Sequence, residues 1–162
     1  RVRPTRQATF YFGAPAGDPR FQEDQLPVWV DYRDRLIYGI PGNAHRGFKL
    51  ADDTLGSDFD PTSGERTIND AEVADARAFL KQRFPALASA PMLGGEVCQY
   101  ENSPDSHFIV DRHPAAPNVW IVGGGSGHGF KMGPALGEMV AGLVLSDGTP
   151  DPQLRLSRFD KK

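Results

Sequence analysis

Apolar side chains fall in short blocks along this chain, separated by Gly, Pro and charged residues, and the spacing inside each block predicts its secondary structure. Residues 7–12 (QATFYF) are β-branched or aromatic and lie between Pro4 and the pair Gly13 and Pro15, the pattern of a strand. Residues 26–32 (LPVWVDY) and 36–40 (LIYGI) are apolar arms around Arg33, Asp34 and Arg35, which predicts a hairpin with a charged turn. Residues 46–51 (RGFKLA) give a further strand, and residues 52–67 a long polar loop carrying Gly56, Pro61 and Gly64.

A helix start follows. Asn69 can cap the first turn while Glu72 reaches back, and Val73, Ala76, Phe79 and Leu80 form one apolar face until Pro85 stops it. Beyond a Pro/Ala-rich connection, residues 95–100 and 107–111 read as strands joined by the turn Asn102, Ser103, Pro104, Asp105. Residues 119–122 (VWIV) form a continuous apolar run, the pattern of a strand buried on both faces, and lead into GGGSGHG. Pro134 then stands where a first-turn proline is tolerated, and Leu136, Met139, Val140, Leu143 and Val144 recur at helical spacing. The last third is therefore a strand, a glycine turn and a helix.

Such a turn lets the backbone approach a ligand closely, and the free amides of a helix N-terminus favour a negatively polarised group there. Glycine turns of this kind also serve tight packing alone. The chain lacks a G-x-G-x-x-G opening with an acidic residue some twenty positions later, so the ordinary dinucleotide fingerprint is absent.

Composition removes several partner classes. Lys and Arg number 18 against 21 Asp and Glu, a balance that points to neither nucleic acid nor an anionic membrane surface. No apolar run approaches the roughly 20 residues that span a bilayer, and no secretory leader opens the chain, so the expectation is a cytoplasmic protein. A single cysteine excludes an intramolecular disulfide framework and leaves one thiol to explain. His107 and His113 with Asp105 and Asp111 show no familiar ligand spacing, so no metal site is expected, and neither a nucleophile elbow nor a phosphate loop is present.

Five segments in order carry a family resemblance: PTRQ at residues 4–7, YGIP with GFK within residues 38–49, VCQY at 97–100, HFIVDRHP at 107–114, and GSGHGFKMGPALGE at 125–138. Together they resemble the C-terminal half of FAD-dependent amine oxidoreductases of the D-amino-acid oxidase superfamily, those related to sarcosine and N-methyltryptophan oxidation above all. The resemblance implies an α+β fold: a mixed, largely antiparallel substrate-domain sheet with helices over residues 1–116, then the closing strand, turn and helix of an FAD-binding domain over 117–162. It implies that the N-terminal βαβ half, with the adenosine and pyrophosphate site, is missing from this chain. The intact protein is then expected to oxidise a small N-substituted amino acid or amine, using molecular oxygen and releasing imine and hydrogen peroxide. A dehydrogenase with another acceptor is the enzymatic alternative, and a non-catalytic binding module the alternative of another class. The 162 residues alone are expected to be inactive.

The resemblance also assigns residues. A lone cysteine in an alternating strand is ordinarily a small buried hydrophobe, but Cys98 in VCQY matches the cysteine that forms a thioether to the flavin's benzene-type ring. Without the rest of the protein it is an empty attachment site. Lys49 in GFK matches the lysine that assists oxygen reduction, since a preorganised cation stabilises superoxide-like charge. Tyr38 and Tyr100 fall on the substrate side of the ring, and Gly125, Ser126, Gly127, His128, Gly129, Phe130 and Lys131 on the flavin side, with Lys131 supporting the pyrimidine edge or a substrate carboxylate. Asp53 departs from the family pattern, which has a histidine four residues after the lysine. A carboxylate there favours a cationic or polyhydroxylated substrate group, unless Asp53 simply opens the polar loop.

Overall fold

The computed structural model describes residues 2–43 and 45–160. Its elements are strands β1 (Arg3–Phe12), β2 (Trp29–Tyr32), β3 (Leu36–Ile40) and β4 (Phe48–Asp52), helix α1 (Asp70–Arg83), strands β5 (Met92–Asn102), β6 (Ile109–His113) and β7 (Ala116–Gly123), and helix α2 (Gly133–Leu145). One sheet has the order β2-β3-β4-β1-β5, and β6 and β7 form a second, two-stranded sheet. The pairs β2–β3, β3–β4, β1–β4 and β6–β7 are antiparallel, so the expected α+β class with a largely antiparallel sheet is observed. Contacts gather into two compact units, residues 6–99 in one and residues 2–5 with 100–160 in the other.

In the unit of residues 6–99, alternation along the strands sends Phe10, Phe12, Phe48, Leu50 and Ile37 to one face, where Ala76 and Leu80 of α1 cover them. Trp29 stacks between Phe48 and Phe79, with ring centroids 6.0 and 5.9 Å away. Gly39, its cross-strand partner, makes the room: a Cβ there would lie 2.2 Å from Trp29 Cζ2. The predicted capping box is present, with Asn69 Oδ1 accepting from Glu72 N and Glu72 Oε2 accepting from Asn69 N. Glu72 also pairs with the Arg6 guanidinium, which donates to the Thr67 carbonyl oxygen at 2.8 Å. The polar loop before α1 is thereby fastened to β1, and Phe59 within it is buried.

Element ends differ from the sequence expectation for local reasons. β1 begins at Arg3 because Thr5, Gln7 and Thr9 alternate as buried polar positions that a hydropathy pattern does not register. β2 begins only at Trp29, since Pro27 has no N–H for the ladder. β4 starts at Phe48, after Gly47 at φ +88°. β5 runs longer than residues 95–100, and β6 starts at Ile109, the backbone of His107 being engaged by Asp105 and Arg158 instead.

In the other unit, β7 follows the predicted apolar run, but the expectation of burial on both faces is not met: Val119 is 43% and Val122 44% exposed. The strand has β6 as its single partner among the described residues, and two paired strands cannot cover two faces. α2 forms as predicted with Pro134 in its first turn, yet none of its residues is buried. No helix among the described residues is long and apolar enough to cross a membrane.

Candidate functional site

Lys49 lies on β4 between Tyr11 of β1 and Ile40 of β3. Its neighbours Phe48 and Leu50 are buried in the core, so alternation turns Lys49 to the opposite face. There its half-buried ammonium sits 5.4 Å from the centroid of the Tyr38 ring, a cation–π contact that orients both groups. Of the two successive aspartates, Asp52 is committed to Arg35, accepting from Nε at 2.7 Å. Asp53 follows the end of β4, and its N–H donates to the Leu36 carbonyl oxygen at 2.7 Å. That bond prolongs the ladder by one residue and keeps Asp53 in alternation with Ala51 and Lys49.

Cys98 is a free, half-buried thiol on β5. A Cβ on Gly95, three residues earlier, would meet Ile68 Cδ1 at 2.4 Å, and Ile68 packs against the core. Alternation therefore turns Cys98 away from the core, to the face that also carries Lys49 and Tyr38.

The glycine turn belongs to the unit containing residues 100–160. Gly124 and Gly127 hold φ of +71° and +80°, and a Cβ on Gly127 would lie 2.3 Å from Tyr100 Cε2. The Tyr100 ring is thus seated directly on the turn. Glu101 accepts twice: its side chain from Gly124 N at 2.8 Å, its carbonyl from Ser126 N at 3.1 Å. His128 Nε2 bonds the Ser106 carbonyl oxygen at 2.9 Å while its ring meets Phe108 edge-on, and Lys131 Nζ donates to the His128 carbonyl oxygen at 3.2 Å. Gly125 and Gly129 approach backbone to backbone, and the Phe130 side chain is fully exposed.

Each unit by itself thus brings part of the expected set together: Lys49 with Tyr38, and Tyr100 with the turn from Gly125 to Lys131. The groups of each unit, taken separately, are of kinds that suit a flavin. An accessible thiol on a sheet face can bond a ring methyl carbon, a lysine ammonium can face an electron-rich ring, and a glycine turn lets backbone approach a planar ligand.

Four residues that matter to the turn escaped the sequence reading in that role: Glu101, Ser103, Asp105 and Arg158. Ser103 and Asp105 read as turn formers, while Glu101 and Arg158 carried no local signal, because their partners lie 23 and 53 residues away. Among the described residues no three His, Cys, Asp or Glu side chains converge to hold a metal. Of the four considered, Asp105 is taken by Arg158, and Asp111 accepts from Leu156 N at 2.8 Å.

The fold is shared with solved structures. The structure superposes on fructosamine oxidase (Amadoriase II) of Aspergillus fumigatus with a TM-score of 0.78 at 20% identity, covering 96% of this chain and 38% of that one. In sequence the chain is 35% identical over 152 residues to monomeric sarcosine oxidase of Streptomyces avermitilis, and 43% identical over 91 residues to N-methyl-L-tryptophan oxidase of Salmonella arizonae. These alignments cover 91% and 54% of this chain and 39% and 24% of the relatives. The chain belongs to the DAO family of FAD-dependent oxidoreductases, whose family model matches residues 1–143. It spans about two fifths of the length of the sarcosine oxidases that it matches.

Proposed function

We propose that the protein containing this chain is a flavin-dependent oxidase of secondary amines or N-substituted amino acids, with FAD bonded covalently to Cys98. When bound, FAD supplies the redox chemistry, accepting a hydride equivalent from the carbon beside the amine nitrogen and returning the electrons to oxygen as hydrogen peroxide. The observation that carries the reading is the shared face of Cys98, Lys49 and Tyr38, opposite the core, in a chain of this family. Lys49 supplies the fixed positive charge for oxygen reduction, and Tyr38 limits where its ammonium can go. Tyr100 walls the substrate side, and the turn from Gly125 to Lys131 receives the flavin edge. In this reading residues 1–116 complete the substrate domain and 117–162 close the FAD domain, the rest of the cofactor site coming from the N-terminal half. Asp53, four residues after Lys49, selects substrates bearing a cationic or polyhydroxylated N-substituent over sarcosine itself.

Acid precipitation of the full-length holoprotein tests the anchor: the pellet is expected to stay yellow, and a colourless pellet with all flavin in the supernatant refutes covalent attachment. Turnover measured with oxygen and with an artificial acceptor separates oxidase from dehydrogenase. Oxygen consumption matched by peroxide is the expected result.

A further inference from the structure

Residues 103–108, the connection from β5 to β6, form a seat for the glycine turn. A Cβ on Gly124 would lie 3.1 Å from the His107 carbonyl oxygen and 3.3 Å from Ser103 Cβ, so the two backbones are in close contact. Ser103 N donates to Ser126 Oγ at 3.2 Å. His128 Nε2 must carry its proton, because its partner at 2.9 Å is the Ser106 carbonyl oxygen. Ser106 and Ser126 hold φ of 62° and 45°, a left-handed conformation that is unfavourable for a serine and persists only where surrounding bonds impose it.

Around Ser106 the bonds that impose it converge on Asp105. Its Oδ1 accepts from His107 N at 3.1 Å and from Ser103 Oγ at 3.2 Å. Arg158 closes the arrangement as a two-pronged fork, Nε to Oδ2 at 2.8 Å and Nη2 to Oδ1 at 3.1 Å. Nη2 also reaches the His107 carbonyl oxygen at 3.0 Å, the atom against which Gly124 packs. Arg158 is itself held: Nη1 donates to the Arg155 carbonyl oxygen at 3.1 Å, its guanidinium lies 4.1 Å from the Phe159 ring centroid, and its side chain is only 12% exposed.

We propose that Arg158 is a positioning residue for the flavin-facing backbone: through Asp105 it sets residues 103–107, the seat against which the turn from Gly124 to His128 packs. This rests on the flavin reading above. A planar fork fixes orientation as well as distance, whereas a lysine ammonium supplies charge without the second prong. Arg158→Gln and Arg158→Lys should therefore disturb the turn alike, which separates positioning from long-range charge. Arg112 provides the control, because it pairs with Asp147, stacks on Trp120 and donates to the Pro117 carbonyl oxygen, all outside the turn.

The experiment uses the full-length protein and two readouts: amide hydrogen exchange at Gly124, Ser126 and His128, and the flavin visible spectrum with the rate of flavin reduction by saturating substrate. Both Arg158 variants are expected to speed exchange at these amides about tenfold, to shift the flavin band, and to slow reduction about tenfold with KM little changed. Arg112→Gln should leave all of these at wild-type values. Turn exchange and flavin spectrum unchanged in Arg158→Gln, even with a lowered melting temperature, overturns the proposal, as does wild-type behaviour of Arg158→Lys or an equal effect from Arg112→Gln. If wild-type protein carries no flavin, the flavin reading fails, while the exchange measurement still decides whether Arg158 positions the turn.

Discussion

A half-buried lysine ammonium resting over a tyrosine ring on the sheet face opposite the core is arranged for electrostatics rather than for ion pairing. Lys49→Met should slow reoxidation of the reduced full-length protein by two orders of magnitude or more, while flavin reduction by substrate changes less than about threefold. Stopped-flow measurement of the two half-reactions decides this, and equal losses in both would remove Lys49 from the oxygen step. At Asp105 the Arg158 guanidinium holds the carboxyl far below its ordinary value of 3.8. Stabilisation from the pair is therefore complete above that value and is lost as pH falls through the lowered one. Urea melts of wild type and Arg158→Gln should differ by a constant amount at neutral and mildly acidic pH, and the gap should narrow once pH drops below about 3.8. Residue identity made Cys98 and Lys49 legible in the sequence, because each sits in a short motif. Asp105 and Arg158 were not legible as a pair, since 53 residues separate them and only the fold brings them together.

At the scale of elements, α1 was fully legible. Its start is encoded by Asn69 and Glu72, and the chain forms the helix at Asp70–Arg83 with both cap bonds in place. Asn69→Ala should cost about 1 kcal/mol of stability, the usual worth of an N-cap. Glu72→Ala should cost more, because it removes the reciprocal cap bond and takes from the Arg6 guanidinium its carboxylate partner as well. Chemical denaturation of the two variants checks the order. The hairpin β2–β3 was legible from its charged turn, but its precise packing was not: Gly39 reads as a weak strand residue and is in fact the space that Trp29 occupies. Gly39→Val should expel the indole from its stack with Phe48 and Phe79 and cost roughly 1–3 kcal/mol, visible as an altered Trp fluorescence.

For the whole molecule, apolar surface on β7 and α2 carries a consequence. Val122, Leu136, Val140 and Val144 line one groove that no described residue fills. Produced as these 162 residues, the chain should associate with rising concentration and show no amine oxidation. Val144→Glu should weaken that association about tenfold, the equivalent of one valine's burial, and analytical ultracentrifugation reads the shift.

The amino-acid sequence determined this protein's family, its order of strands and helices, its capped helix and the identities of its chemical groups. Those are local properties: period, cap chemistry and motif spacing lie within a few residues of one another. Tertiary structure alone decided which face Cys98 and Lys49 take, that the VWIV strand stays half exposed, and that a distant arginine braces the glycine turn. Each of these depends on a partner far away in the chain, and a side chain's surroundings are fixed only when the strands have paired and the loops have closed on one another.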